Sequence, residues 1–292
     1  MSSMYKVEVA SRASLGILAL IFLYLLVSCI VGSRLICRVA SFVGSEYFFI
    51  VVGLLLYNLA GRSGLRVIVV LLLVASVTGL LKVLIESPRP PVEEWLVSAS
   101  GPGFPSGHTS ITTSFWAILY LETGSRLVLA TGVFHIAGVA VSRVVLRVHY
   151  PIDVVGGIIV GTALPLFYKL LQKRSGRSST RLEQYAVIAS IFSTLSSLAI
   201  QTDYYSLWML LGLATGILLG LLILPRYTPS VYMWRLRYGV VGFSASSTFI
   251  AILLLAENPY YWLVASVLLG YLGICIAPLL ERLGTRHKPV VS

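Results

Sequence analysis

"LRVIVVLLLVASVTGLLKVLI", residues 65–85, decides the fold. Its only charges are Arg66 near one end and Lys82 near the other. About 20 predominantly apolar residues, rising about 1.5 Å each along a helix, cross the hydrocarbon core of a bilayer. The stretch therefore reads as a transmembrane helix. The rest of the chain has the same character. Of 292 residues, 57% are hydrophobic and only 11% are charged, against about 25% charged in soluble domains. Mean hydropathy is +0.91, which excludes a soluble enzyme. The net charge of +11 does not indicate nucleic acid, because the basic residues gather between apolar runs, where the positive-inside rule puts them.

Read this way, the sequence predicts ten spans, at 13–31, 43–60, 65–85, 106–121, 127–146, 151–170, 184–200, 206–224, 239–256 and 261–280. The expected fold is an all-α polytopic membrane helical bundle. The polar, basic stretch "QKRSGRSST", 172–180, marks the clearest boundary. It predicts a six-span core over 1–171, a basic cytoplasmic linker over 172–183, and a four-span region with a basic tail over 184–292.

With the N-terminus placed in the cytoplasm, only six of the 22 Lys and Arg residues fall outside: Arg34, Arg38, Lys82, Arg89, Arg143 and Arg147. This asymmetry predicts a multi-pass cell-membrane protein with cytoplasmic N- and C-termini. Tyr204, Tyr205, Tyr260, Tyr261 and Trp262 fit an aromatic belt at the outer interface. The three cysteines, Cys29, Cys37 and Cys275, show no metal-ligand spacing, so neither a disulfide framework nor a zinc site is expected. "LVSC", 26–29, resembles a lipoprotein cleavage box, but the apolar run continues past Cys29, and 13–31 is read as a retained span.

The outward cations are informative. Lys82, Arg89, Arg143 and Arg147 stand where the positive-inside rule disfavours them, near the outer ends of the third and fifth spans. His108, His149, Ser106, Ser142 and Asp153 share that side. Cations, histidines and a carboxylate thus converge from three separate loops at one membrane depth. Ionisable groups at a membrane are costly and mark function. Other polar residues have plainer readings. His135, mid-span, is expected to be a hydrogen-bonded core histidine. Glu86, Glu93 and Glu94 are expected to be solvated or ion-paired, and His287 in the basic tail to be solvated.

The spacing of these residues carries a resemblance. Residues 82–90 read "KVLIESPRP", which is K-x6-R-P. "PSGH" spans 105–108, and "SRVVLRVHYPID", 142–153, is S-R-x5-H-x3-D. In that order they resemble the three signatures of the type 2 phosphatidic acid phosphatase superfamily, in its membrane branch of lipid phosphate phosphatases. The resemblance covers about residues 65–170 through these motifs and is expected to extend over the first six spans, and the last four expected spans lie outside it.

Phosphoryl transfer needs neutralised charge, an in-line nucleophile and a proton for the leaving oxygen. Lys82, Arg89 and Arg143 can surround a phosphate, Arg through bidentate contacts and Lys as a point charge. Pro90 disfavours helical geometry at Arg89, so Arg89 is expected to leave its helix and fold over the pocket. Pro105 suits a helix start, which places Ser106, Gly107 and His108 in a first turn whose free N–H groups attract phosphate oxygens. The resemblance implies that His149 is the nucleophile, that Asp153 orients it, and that His108 is the acid and then the base. It also implies a metal-independent reaction, and no cofactor is expected.

The expected partners are a lipid phosphate substrate and membrane lipids, with no nucleic acid. Three substrate classes fit: a polyprenyl diphosphate, phosphatidic acid, and phosphatidylglycerol phosphate. Arg147 tips the choice towards the diphosphate if it meets a second phosphate; otherwise it is an exposed loop residue. The competing readings are a phosphotransferase using the same site and a lipid transporter or scaffold with a vestigial one. A transporter would place its ionisable groups nearer the membrane midplane.

Overall fold

The computed structural model describes residues 3–175, 181–201, 205–223 and 261–272. These form α1 (Ser3–Ile30), α2 (Arg34–Phe42), α3 (Glu46–Ala60), α4 (Arg62–Ile85), α5 (Gly107–Thr123), α6 (Arg126–Val145), α7 (Pro151–Ser175), α8 (Arg181–Ile200), α9 (Tyr205–Ile223) and α10 (Tyr261–Leu272). A single 3-10 turn covers Val92–Glu94.

The fold class is all-α and polytopic, but the ten-span expectation, six plus four, is corrected. Among the described residues, four helices are long and apolar enough to cross a membrane: Ala13–Ile30, Arg62–Ile85, Arg126–Val145 and Pro151–Arg174. A fifth is gained if α2 and Glu46–Tyr57, bent by 45° at their junction, count as one broken span. α5 has 17 residues, a rise of about 25 Å against a core of about 30 Å. Its Thr109, Ser110, Thr112 and Ser114 are fully buried, so its polar face meets protein. α8 is diluted in the same way by buried Ser190, Ser193, Thr194 and Ser197. The apolar runs Ser206–Leu222 and Tyr261–Leu272 are short. The expected span at 239–256, the end of that at 261–280, Cys275 and His287 lie outside the described residues.

The chain divides into two compact units, Met1–Phe49 with Leu81–Leu170 and Ile50–Leu80 with Leu171–Ser292. In the first, α1 and α5 pack on α6, and α2 packs on both α1 and α6. His135, 3% exposed, lies at its centre. Its Nδ1 accepts the Trp116 indole N–H at 2.9 Å, and Phe22 stacks on its ring with centroids 3.9 Å apart. α7 lies directly on α5. A Cβ added at Gly157 would come 2.7 Å from Ser106 O, and one at Gly161 would come 2.4 Å from Ser110 O. These glycines let the start of α7 meet the start of α5, while Lys169 pairs with Glu122 farther along the same two helices.

Cys29 and Cys37 form a disulfide with Cα atoms 4.9 Å apart, which corrects the expectation of unpaired cysteines. Gly32, at φ 95°, makes the turn between α1 and α2 that brings them together. In the second unit α8 packs on α9. Glu183, 1% exposed, faces Arg62 Nε at 3.6 Å and Arg66 Nε at 3.4 Å, so a carboxylate that would be costly to bury alone is paired.

Candidate active site

Lys82 sits in the last turn of α4, buried at 5% exposure. Its ammonium donates to Pro102 O at 2.6 Å and Gly103 O at 3.2 Å. Glu86 then adopts φ 49°, a left-handed conformation that breaks the helix. Arg89 lies beyond the break and is tied down by backbone carbonyls. It donates from Nε to Gly101 O at 2.8 Å, and from its terminal nitrogens to Ser100 O at 2.9 Å and Val148 O at 2.6 Å. Trp95 lies under the guanidinium, 5.9 Å from its centroid, and its indole N–H is anchored on Pro90 O.

α5 begins one step later than expected. Pro105, joined to Phe104 by a cis peptide bond, precedes the helix, and Ser106 is its N-cap. Gly107 and His108 occupy the first turn, where backbone N–H groups lack intrahelical acceptors and the dipole is positive. Ser106 is fully buried. Its N–H donates to Asp153 O at 2.8 Å, and its Oγ accepts from Thr109 at 3.1 Å. The Ser106 N–H is therefore committed to joining α5 and α7, while its hydroxyl proton, beside the N–H groups of the residues after it, is still free to donate.

Arg143 lies in the last turn of α6, 4% exposed, and donates to Ser41 Oγ. Arg147 follows at φ 57°, turning the chain so that Val148 is buried and His149 enters the site. His149 Nδ1 lies 3.1 Å from Asp153 Oδ2, and its Nε2 lies 3.0 Å from an Arg89 terminal nitrogen. Arg can only donate. Nε2 must therefore carry a lone pair, and the proton belongs on Nδ1, directed at Asp153. The same carboxylate oxygen accepts the Tyr150 N–H at 2.9 Å. Burial, together with the nearby Arg89, Lys82 and Arg143 charges, pushes the His149 imidazole down from its ordinary 6.5 to about 3, against the Asp153 hydrogen bond. The ring is neutral across the physiological range.

Residues 63–177 match the PAP2 superfamily. This PAP2-like segment contains every motif residue described above. Searches of curated proteins and of solved structures gave no match. The segment has a PAP2-like hydrolase fold with several membrane-spanning helices, and its buried His149–Asp153 pair is consistent with a phosphatase site. Among the described residues, no three His, Cys, Asp or Glu side chains are grouped so that they could hold a metal ion.

Lys82, Arg89, Arg143, His149 and Asp153 come together at this end of the PAP2-like segment. Burial, with Arg143, His149, Lys82 and Arg89 all within electrostatic reach, pushes the His108 imidazole well below its ordinary 6.5, so its ring is neutral among these groups. Arg147 does not join them: its side chain is 59% exposed and bonds Glu94 Oε2 at 3.0 Å. Two further groups carry no motif signal. Ser41 and Glu46 flank the α2–α3 break, and the break packs against the site. Glu46 is the only charge in the expected span 43–60, and that polar interruption was the one available cue.

Proposed function

We propose that this chain is an integral-membrane lipid phosphate phosphatase that works through a phosphohistidine on His149. The His149 geometry carries this reading: a neutral imidazole with one nitrogen committed to a buried carboxylate and the other held facing a guanidinium. On this reading Lys82, Arg89 and Arg143, with the Ser106 hydroxyl and the Gly107 and His108 N–H groups, take the phosphate. The phosphate oxygens draw the Arg89 terminal nitrogen away from Nε2 and release its lone pair. Nε2 attacks phosphorus. The bond from phosphorus to the lipid oxygen breaks and its electron pair leaves with that oxygen; His108, which takes up a proton once the negative charge of the phosphate is bound beside it, supplies the proton. Asp153 holds Nδ1–H while the ring becomes cationic, as the carboxylate of a catalytic triad does. Water then attacks phosphorus and gives its proton to His108. The phosphorus–nitrogen bond breaks with its electrons returning to Nε2, and inorganic phosphate departs.

The disulfide supports an outward-facing site. Cys29 and Cys37 pack against Leu146 and Val148, in the loop that carries His149, and disulfides persist in oxidising compartments. With the asymmetry of Lys and Arg this favours a cell-membrane enzyme acting on the outer leaflet, with cytoplasmic termini. The substrate class is a lipid phosphomonoester or diphosphate whose head group reaches the interface. The preference for a polyprenyl diphosphate rested on Arg147, and the Glu94 pairing at the surface weakens that reason. The test is phosphate release from a panel of lipid mono- and diphosphates by purified protein with a chelator present. Activity is expected to survive the chelator and to fall at least about 10³-fold in His149→Ala. Activity untouched by that substitution, or silence on every lipid, contradicts the proposal.

A further inference from the structure

Glu46 opens α3 at the edge of the cation cluster. A Cβ added at Gly107 would lie 3.6 Å from Glu46 Oε1 and 4.0 Å from Lys82 Cε. The carboxylate therefore borders the first turn of α5, where phosphate oxygens would meet the open N–H groups. Burial opposes its ionisation, and the charges of Lys82 and Arg143, both within electrostatic reach, favour it. Among the described residues, no direct ion pair ties it to either. Its position is set by the α2–α3 break. A Cβ at Gly44 would come 2.6 Å from the Val139 side chain and 3.2 Å from Thr112 Oγ1, so this glycine lets the break sit against α5 and α6. On the other side of the break, Ser41 receives the Arg143 guanidinium. One short bend thus steadies a cation and presents an anion to the same pocket.

Three cations and a helix N-terminus, left unopposed, would hold inorganic phosphate tightly. Tight holding of substrate and product alike does not accelerate the chemical step. We propose that Glu46 determines how strongly this site holds phosphate. Its carboxylate competes with the phosphate for Lys82 and Arg143 and so speeds release of the product. This inference rests on the phosphatase reading.

The probe is radiolabelled inorganic phosphate in equilibrium dialysis against the full-length chain in detergent at pH 7. Glu46→Gln keeps the shape and removes the charge, and its Kd for phosphate should fall about tenfold. Glu46→Asp draws the charge back by one methylene and should bind roughly two- to threefold more tightly than the unsubstituted chain. KM for a hydrolysed lipid phosphate should fall in the same order, with no rise in kcat. A Gln variant that binds phosphate no more tightly than the parent overturns the proposal. Should that variant fail to fold, an Asp variant without a gain in affinity overturns it alone. A parent chain that hydrolyses lipid phosphates while Glu46→Gln binds no tighter removes the Glu46 role and leaves the phosphatase reading intact. A parent that neither binds phosphate nor releases it removes both.

Discussion

Both ring nitrogens of His149 are committed, one to Asp153 and one to Arg89, and the consequence can be measured. With its pKa lowered to about 3, the imidazole should remain neutral and Nδ1-protonated at pH 5. Nitrogen NMR of labelled histidine should give a midpoint near 3 for this residue, and a midpoint near 6.5 contradicts the site geometry. The sign for stability follows. Between these values the unfolded chain binds a proton that the folded chain does not, so this group makes stability rise with pH from about 3 to about 6.5. At this scale the sequence was most informative. Lys82, Arg89, Arg143, His149 and Asp153 are ionisable groups at the ends of apolar runs, and their cost there makes them visible. Glu46 was not legible as part of the site. A single carboxylate at the start of an apolar run shows no partner until the chain bends, and both partners lie far along the sequence.

At the scale of elements, the loop carrying His149 is braced from below. Leu146 and Val148 are fully buried against the Cys29–Cys37 disulfide, with Trp95 and Leu96 packed on the same cluster. Leu96 N–H donates to Leu146 O at 3.1 Å, and Arg38 donates to Leu96 O at 2.9 Å. The disulfide therefore supports both the segment after Arg89 and the segment before His149. Reduction should cost about 2–3 kcal/mol of stability. It should also lower kcat about tenfold with little change in KM, because a loosened loop misplaces the attacking nitrogen more than it weakens phosphate binding. Thermal unfolding and kinetics with and without reductant check this. The Cys29→Ser/Cys37→Ser protein should match the reduced enzyme and ignore reductant, and full activity in that protein contradicts the bracing role. The pairing escaped the sequence because cysteines eight positions apart carry no spacing signature. It depends on a turn at Gly32, a residue that looks ordinary beside an apolar run. The start of α5 was legible to within one residue. Ser106 is the cap, a position serine favours, and its N–H bond to Asp153 O is a tertiary contact that local propensity does not show.

For the whole molecule, apolar runs fixed the class of fold but not the number of spans. Hydropathy counts polar residues without knowing what they face. The Thr and Ser of α5 and α8 face other helices, and the run at 43–60 belongs to a pair of helices bent by 45°, so windows of apolar residues did not map one to one onto crossings. The motif residues sit at helix ends, which are set by Glu86 at φ 49°, by the Ser106 cap and by Pro151, and not by the number of spans. The central claim is that His149 carries the phosphoryl group. The most direct test is rapid quenching of the full-length protein with lipid substrate labelled in its terminal phosphate, followed by mapping of the labelled peptide. Base-stable, acid-labile label is expected on the peptide containing His149, lost together with activity in His149→Ala. Label on any other residue, or a His149→Ala protein that still releases phosphate, would contradict the claim.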